Sequence, residues 1–355
     1  MIKFPSIEQF RNVIRHVKTH SQYAGKDENG NVIYDQSKPI PTLKFRGTVK
    51  LHGTNAGIVY DTATGHITYQ SRERELSLTS DNAGFMLAQM KHEDLWKQHL
   101  RGIYEYDLEA FSVGPHITKI IYFGEWCGQG IQKGVAVSQL PKMFVIFACK
   151  FVFEDGDTEW VDISIGKDMD DGIKIPDVHY IDEFPTYEID IDFNHPELAQ
   201  NKMIEITEEV EKECPVGKAF GVSGIGEGVV WTCMTEGWTD SGTWFKVKGE
   251  KHSVSKVKTL AAVDVEAVAN LKAFVDATVT EARLEQGLWN LVHEQLKPIE
   301  MTSMGDFLRW VYNDVIKEEQ DTIVANGIDP KKIGGAIANV ARPWFVKKVN
   351  EGVGL

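Results

Sequence analysis

The chain has 355 residues, of which 42% are hydrophobic and 25% charged, and its formal net charge is −14. This length and composition predict a soluble globular protein with a large core and room for two or three domains. No apolar run approaches the ~20 residues of a membrane span, and the first residues lack a signal-peptide pattern, so we expect a cytoplasmic protein without a membrane partner. The scattered cysteines Cys127, Cys149, Cys214 and Cys233 form no Cys-x-x-Cys pair, which argues against a zinc site or a disulfide framework.

The negative charge is concentrated in one segment. Residues 150–215 contain 20 Asp and Glu against 5 Lys, so the rest of the chain is close to neutral. A nucleic-acid partner is therefore not excluded, because binding needs only a local basic strip. We expect the acidic segment to face away from such a strip, and any nucleic-acid affinity to be modest and sensitive to salt.

The hydrophobic periodicity predicts mixed helices and strands up to about residue 249. Residues 5–19 should form an amphipathic helix with Ser6 as its N-cap, and Asn29-Gly30 is a hairpin signal. The other expected elements are a strand, turn, strand and strand in 41–70, a helix in 80–102, strands at 117–124, 144–148, 229–233 and 243–247, short strands within 151–193, and an acidic helix at 195–213.

Helical periodicity dominates from about residue 263 onward. One helix should begin after a capping residue at Thr280, another should span 304–324, and Pro343 should kink or end the last one. Three lysines precede these helices: Lys251, Lys256 and Lys258. A basic stretch followed by a helical module would suit contact with the phosphates of a duplex.

A lysine stands at the end of an apolar, β-prone run. Lys50 is followed by Leu-His-Gly-Thr-Asn, and a second predicted strand runs from Ala56 to Tyr60. The glycine allows a tight turn, so the lysine amine would be held where a strand ends. An amine held in this way is useful as a nucleophile, although free lysine is protonated at neutral pH. A solvated lysine beside a hairpin is the alternative interpretation of this motif alone.

Further motifs follow downstream in a fixed order. They place Glu125 in Phe-Gly-Glu-Trp-Cys-Gly-Gln-Gly-Ile-Gln-Lys (123–133), Glu227 at the start of Glu-Gly-Val-Val-Trp, and Lys246 and Lys248 in Trp-Phe-Lys-Val-Lys (244–248). With Lys50, these segments resemble motifs I, III, IV and V of the covalent nucleotidyltransferases, which include DNA ligases, RNA ligases and mRNA capping enzymes. DNA ligases and capping enzymes usually carry Asp where this chain has His52. Lys-x-His-Gly-Thr-Asn looks instead like the RNA ligase 2 family, the nick-sealing type of T-even phages.

The resemblance covers roughly residues 1–250 and implies a fold, a reaction and a substrate. The fold is α+β. An adenylyltransferase domain (an ATP-grasp-like nucleotidyltransferase unit of antiparallel sheets with flanking helices) would span residues 1–249, and a small all-helical C-terminal domain would span residues 250–355. The implied protein is a monomeric, ATP-dependent RNA ligase of RNA repair that uses Mg²⁺ or Mn²⁺. Its partner would be RNA with 3′-hydroxyl and 5′-phosphate ends, at nicks in duplex RNA or RNA–DNA hybrids, and a phage source would place it in the host cytoplasm.

The resemblance assigns the nucleophile to Lys50, which would attack the α-phosphate of ATP and expel pyrophosphate. AMP would then pass to a 5′-phosphate and leave when a 3′-hydroxyl attacks. Lys246 and Lys248, two residues apart on a strand, would point to one face, hold the α-phosphate and favour the free amine of Lys50. A solvated edge-strand face is the alternative for this pair.

The same resemblance assigns roles to two glutamates and an arginine. Glu227 would bind the catalytic metal, and Glu125 would contact the ribose hydroxyls and the metal network. Surface carboxylates are the alternative for both. Arg72 would bind a phosphate, but Arg74 stays open as its substitute because the two would share one face of a strand.

The remaining assignments concern the nucleotide's base and the turn after the nucleophile. Phe147 would stack on adenine, with Phe144 as the alternative and plain core as a further interpretation of either. His52 and Asn55 would lie near the AMP and the substrate end, although a satisfied histidine and a turn residue are the plainer interpretations. Val49 stands where nick-sealing relatives often carry an acidic residue, so adenine recognition would rest on backbone groups.

Other functions compete with RNA ligation. A DNA ligase or an mRNA guanylyltransferase would share the lysine, but these usually have Asp at position 52 and an OB-fold where this chain has a helical tail. A catalytically inactive RNA-binding scaffold is opposed by the complete set of lysine, two glutamates and Lys-x-Lys. The chain has no Gly-x-x-x-x-Gly-Lys-Ser/Thr loop and no kinase motif set, so these other ATP-binding classes are not indicated.

Overall fold

The structure is a computed structural model that describes residues 1–110, 115–163, 173–252 and 271–352. Its strands are β1 (Tyr23–Lys26), β2 (Val32–Tyr34), β3 (Thr42–Lys50), β4 (Thr54–Asp61), β5 (Ile67–Ser71), β6 (Ile117–Cys127), β7 (Met143–Phe153), β8 (Thr158–Val161), β9 (Val178–Tyr180), β10 (Thr186–Asp192), β11 (Gly228–Cys233) and β12 (Phe245–Lys248). Its α-helices are α1 (Phe10–Gln22), α2 (Phe85–Met90), α3 (Glu93–Ala110), α4 (Glu197–Lys212), α5 (Pro215–Ala219), α6 (Leu271–Thr278), α7 (Glu281–Trp289), α8 (Met304–Ala325) and α9 (Pro330–Glu351). Antiparallel sheets with helices, followed by a helical C-terminal region, confirm the predicted α+β class.

A four-stranded antiparallel sheet carries the predicted nucleophile. Its strand order is β10–β3–β11–β12. Side chains alternate between the two faces of a strand, so Phe45 and Val49 of β3 are buried in the core while Lys50 projects from the other face. The register sets Gly228 of β11 opposite Lys50 on one side and opposite Lys248 on the other. Both lysines therefore lie at the same end of this sheet.

The second large sheet has the order β5–β4–β6–β7–β8, and β9 pairs with β7 in parallel. β4 begins at Thr54, directly after the short turn that follows Lys50. This turn carries the chain from the first sheet to the second, where the register sets Asn55 opposite Glu125 of β6. The crossing brings the end of β3 close to the end of β6.

The buried apolar residues form two large clusters. The first is built on both sheets and the helices around them. The second is built on α6–α9 and the segments that join them, and it contains Phe274, Val275, Val279, Leu284, Leu288, Leu291, Phe307, Val311, Val315, Ile323, Ile333, Ile337, Ala341 and Phe345. The C-terminal region is therefore helical, as predicted, and has buried apolar residues of its own, while its standing as a separate domain stays a prediction. Its boundary stays a prediction, because residues 253–270, including Lys256 and Lys258, lie outside the described residues.

The start of the first helix differs from the prediction. α1 begins at Phe10 rather than near residue 5, and its N-cap is Gln9, so the assignment of Ser6 as the cap is wrong. Glu8 instead pairs with β12, where its carbonyl accepts from the N–H of Lys246 at 3.0 Å. This backbone pairing keeps the residues before α1 extended.

Three other helix predictions have mixed outcomes. The Thr280 side chain accepts from the N–H of Arg283, which confirms the capping residue of α7. The predicted helix at 80–102 is two helices, α2 and α3. α9 continues past Pro343, because Ala341 and Phe345 on either side of it are buried in the helical core. Within the described part of the chain, no helix is both long enough and apolar enough to span a bilayer.

Candidate active site

One buried carboxylate joins two of the predicted catalytic lysines. Lys50 Nζ lies 2.8 Å from Glu227 Oε2, and Lys248 Nζ lies 2.9 Å from Glu227 Oε1. The Glu227 side chain is only 1% exposed, so this contact is shielded from solvent. Residues far apart in the sequence meet here because β3, β11 and β12 are neighbours in one sheet.

The charges of this cluster fix the ionisation of the carboxylate. Burial alone would raise the pKa of Glu227, but Lys248, Lys50 and the nearby His52 outweigh burial and hold that pKa well below its usual range. His52 Nδ1 lies 3.3 Å from Glu227 Oε2. Burial lowers the pKa of Lys248, which Glu227 opposes. Two ammonium groups facing one carboxylate leave an excess of positive charge, which suits an anionic ligand.

The turn after Lys50 needs glycine because of a close approach. A Cβ at Gly53 would lie 2.3 Å from the carbonyl oxygen of Trp126. The Gly53 N–H donates to Glu125 Oε1 at 2.9 Å, which ties the turn to the end of β6. Glycine was expected here for turn formation, and the structure gives close packing against β6 as the reason.

Glu125 has an unusual ionisation for a carboxyl group. Burial raises the pKa of Glu125 to about 7, against the lowering effect of Lys50. Glu227 adds to the rise as a like charge. The two predicted metal-binding carboxyls therefore differ: Glu227 is held ionised by lysines, whereas Glu125 keeps its proton close to neutral pH in the absence of bound cations.

A cavity of about 700 Å³ collects the predicted site. All of the predicted site residues line it: Lys50, His52, Asn55, Arg72, Glu125, Phe147, Glu227, Lys246 and Lys248. The acidic segment does not face away from it altogether, since Asp162 and Asp182 also lie in its wall. That expectation is wrong for these two residues, which β8 and the turn after β9 carry to the cavity.

Two alternatives left open by the sequence differ clearly in position. Phe147 lines the cavity and packs edge-on against Phe4, with ring centroids 5.0 Å apart, whereas Phe144 is fully buried and packs against Phe85. The geometry favours Phe147 as the residue available for stacking on a base.

The two arginines are similarly separated. β5 ends at Ser71, so the residues after it are not on a strand and the expected shared face does not exist. Arg74 donates to the backbone oxygens of Ser80, Asp81 and His293, and thereby fixes the loop. Arg72 is half-exposed at the cavity wall, which favours it for binding a phosphate.

Lys246 also reaches the cavity, but its closest acidic partner differs from that of Lys248. Its Nζ lies 3.1 Å from Oε1 of Glu318, a residue of α8. The alternation of β12 thus places both lysines on one face, as predicted, while the C-terminal helices supply the counter-charge for Lys246.

Comparison with known proteins identifies the family of the chain. Residues 43–248 match the sequence model of the family described as RNA ligase. The chain belongs to the RNA ligase family. Among solved structures, this family member is similar to an RNA ligase of Naegleria gruberi with AMP and Mn (17% identity, TM-score 0.41, 70% of this chain and 56% of that chain) and to the same ligase with PPi (18% identity, TM-score 0.40, 70% and 56%). The present chain therefore spans little more than half the length of those Naegleria chains. A comparison with curated proteins gave no match.

The walls of this RNA ligase family member's cavity include residues that the sequence did not indicate. They come from α7, α8 and the π-helical turn Asn290–Glu294, and they are Gln286, Trp289, Asn290, Glu294, Trp310, Asn313, Asp314, Lys317 and Glu318. Glu294 accepts from the hydroxyl of Ser71 at 2.7 Å, so the helices also hold the loop that carries Arg72. The helical periodicity of this region gave no signal that these side chains face the catalytic sheets.

Two carboxyl groups at the cavity wall, those of Glu227 and Glu125, suit a divalent metal. Among the described residues, no group of three or more His, Cys, Asp and Glu is arranged to hold a metal ion. Mg²⁺ usually takes one or two carboxylates and completes its shell with substrate phosphates and water. Glu227 and Glu125 fit such a site as hard oxygen donors on one cavity wall, with the remaining ligands supplied by a nucleotide.

Proposed function

We propose that this chain is an ATP-dependent RNA ligase that works through a lysyl-AMP intermediate on Lys50. The observation that carries the proposal is the pair Lys50 and Lys248 on either side of Glu227, at the wall of a cavity large enough for a nucleotide. In the first step the free amine of Lys50 forms a bond to the α-phosphorus of ATP, and the bond to pyrophosphate breaks. Lys248 and Lys246 lie where they would stabilise the charge on that phosphate.

The other cavity residues have roles that follow from their positions. Arg72 would contact a phosphate, Phe147 would stack on adenine, and Glu125 would contact the ribose. His52 and Asn55 would lie near the AMP. Glu227 and Glu125 would hold Mg²⁺ or Mn²⁺, which when bound neutralises negative charge on the phosphates.

The later steps would use RNA ends as substrates. A terminal 5′-phosphate oxygen attacks the lysyl-AMP phosphorus and releases Lys50, and a 3′-hydroxyl then attacks the adenylylated 5′-phosphate and releases AMP. The Lys50-Leu-His52-Gly-Thr-Asn turn and the helical C-terminal region support a nick-sealing ligase of the RNA ligase 2 type that acts as a monomer on nicked duplex RNA or RNA–DNA hybrids.

Labelling of the protein tests the proposal directly. The protein is incubated with Mg²⁺ and either ATP or GTP labelled at the α-phosphate, and label on the denatured chain is measured. We expect label from ATP, none from GTP, and none from ATP with folded Lys50→Ala. Label from GTP would indicate a capping enzyme, and labelling of Lys50→Ala would refute the nucleophile.

Substrate preference is tested separately from labelling. Nicked duplex RNA, a nicked RNA–DNA hybrid, nicked DNA and unsplinted single-stranded RNA are offered at equal concentration with ATP. We expect sealing of the first two to be the fastest. Preferential sealing of nicked DNA would indicate a DNA ligase, and preference for unsplinted RNA would remove the nick-sealing assignment.

A further inference from the structure

Lys246 is one of the two lysines proposed to bind the α-phosphate, yet its amine already faces an anion. Glu318 Oε1 lies 3.1 Å from Lys246 Nζ, and the side chains are 16% and 22% exposed. Glu318 belongs to α8, whereas Lys246 belongs to β12 of the four-stranded sheet that also carries Lys50. A residue of the C-terminal helices therefore occupies the position of an anion on a predicted phosphate-binding lysine.

The carboxylate of Glu318 is fixed by the N-terminal part of the chain. Gln9 Nε2 donates to Glu318 Oε2 at 3.0 Å and to its backbone oxygen at 3.2 Å. Arg11 Nη2 donates to the same backbone oxygen at 2.8 Å. These bonds hold α8 against Gln9 and α1, and the neighbouring Glu8 pairs with β12, so the contact with Lys246 differs from a loose surface ion pair.

The carboxylate of Glu318 is ionised at neutral pH. Burial opposes its ionisation, but Lys246 and the hydrogen bond from Gln9 outweigh burial and lower the pKa of Glu318 to about 2. A full negative charge therefore lies beside Lys246 at neutral pH. A phosphate arriving at this lysine would meet that charge at close range.

We infer that Glu318 is an internal competitor of the nucleotide, and that the contact between α8 and Lys246 is autoinhibitory. The inference rests on the proposed function, in which Lys246 binds the α-phosphate of ATP. Binding of ATP then requires Lys246 to leave Glu318, because a carboxylate and a phosphate repel each other at the same ammonium group. The contact is broken when the nucleotide binds and restored when the site is empty.

This arrangement couples the C-terminal helices to the nucleotide site. Because coupling between two binding events is reciprocal, removing the Glu318 carboxylate must strengthen ATP binding, and ATP must in turn weaken the contact of Glu318 with Lys246. A substrate that draws α8 away would likewise favour nucleotide binding. The catalytic cavity would thereby respond to what the helical region binds.

The substitution Glu318→Gln tests the inference in the full-length protein. Glutamine keeps the shape and removes the charge. The readout is the initial rate of lysyl-AMP formation as a function of ATP concentration. We expect the apparent KM for ATP to fall about tenfold, equivalent to about 1.4 kcal/mol, with little change in the maximal rate.

A matched control lies one turn further along the same helix. Asp321 pairs with Arg15 of α1 at 2.6 Å, so Asp321→Asn weakens the contact of α8 with α1 but leaves the pair of Glu318 with Lys246 in place. We expect its KM for ATP to equal that of the wild type. An equal fall in KM in both variants would overturn the inference in favour of general loosening.

Two results separate this inference from the proposed function. If the wild type forms lysyl-AMP but Glu318→Gln has an unchanged or higher KM, Glu318 is not a competitor. If the wild type forms no lysyl-AMP, the proposed function itself fails. Should Glu318→Gln not fold, hydrogen–deuterium exchange on the wild type decides. The nucleotide analogue α,β-methylene ATP, which cannot release pyrophosphate, should speed exchange in α8 around Glu318, and unchanged or slower exchange there would overturn the inference.

Discussion

Lys50 and Lys248 reach opposite oxygens of the same buried carboxylate from strands on either side of β11. Without Glu227 these two ammonium groups would face each other with their main counter-charge removed. The carboxylate therefore has a structural role in addition to its proposed contact with a metal.

Glu227→Gln should destabilise the protein by about 3–5 kcal/mol at pH 7, because two largely buried cations lose their counter-charge. Denaturant unfolding of both proteins measures the difference.

This stability difference should depend on pH. Because the lysines hold the pKa of Glu227 in the folded protein far below 4.5, the wild type keeps its full advantage above about pH 4.5. The advantage is lost as the pH falls towards the folded-state pKa of Glu227. Glu188→Gln is the control, since its pair with Lys44 is exposed to solvent and should contribute little to stability. Equal losses in the two variants would contradict the prediction.

Lys248→Ala should slow lysyl-AMP formation by about 100-fold or more, because the transferred phosphate loses a positioned charge. The rate is measured at saturating ATP, so that a binding defect alone does not account for the loss. Lys44→Ala is the matched control, as this lysine lies on β3 of the same sheet but pairs with Glu188 outside the cavity. A wild-type rate in Lys248→Ala would show that its charge is not used in the first step.

The pKa of Glu125 predicts how stability changes with pH. The folded protein keeps this proton up to about pH 7, whereas the unfolded chain releases it near 4.5. Stability should therefore fall as the pH rises between these values and level off above them, with a cost of up to about 3 kcal/mol. Glu125→Gln should gain on the wild type from pH 5 to pH 8 in unfolding experiments without nucleotide or divalent metal. The reverse trend would contradict the raised pKa.

Gly53→Ala should disrupt the turn after the nucleophile, because its Cβ would lie 2.3 Å from a backbone oxygen of β6. We expect a loss of roughly 1–3 kcal/mol in stability together with a strong loss of lysyl-AMP formation, because the shift moves Lys50 relative to Glu125. Gly102→Ala is the control: nothing lies within 4 Å of its added Cβ, and alanine in α3 should stabilise the protein by up to about 1 kcal/mol. Full labelling activity in Gly53→Ala would contradict the close-packing argument.

The motifs identified residues that line one cavity, because the spacing of residues along a strand determines which side chains share a face. Lys246 and Lys248 are two residues apart on β12, so alternation places both on one face once the strand is recognised. Order along the chain placed Glu125 and Glu227 in the same group, although Glu125 lies on β6 and Glu227 directly precedes β11 of the other sheet.

Contacts between elements that are far apart in the sequence could not be predicted from local sequence patterns. Ser6 was expected to cap a helix, but pairing of Glu8 with β12 keeps that segment extended, and nothing in a local window reports a partner so far along the chain. Nothing in the sequence indicated that Glu318 is a site residue, because its pairing with Lys246 depends on how α8 packs on the sheets. Arg72 and Arg74 could not be separated, since only the end of β5 at Ser71 removes their expected shared face.

The pairing of Glu8 with β12 also has a consequence for the solution behaviour of the protein. β12 is the last strand of its sheet, and an open edge offers unpaired backbone groups to the strands of other molecules. The N-terminal segment covers part of that edge, so a shortened chain that begins at Phe10 should expose it. We expect such a chain to self-associate.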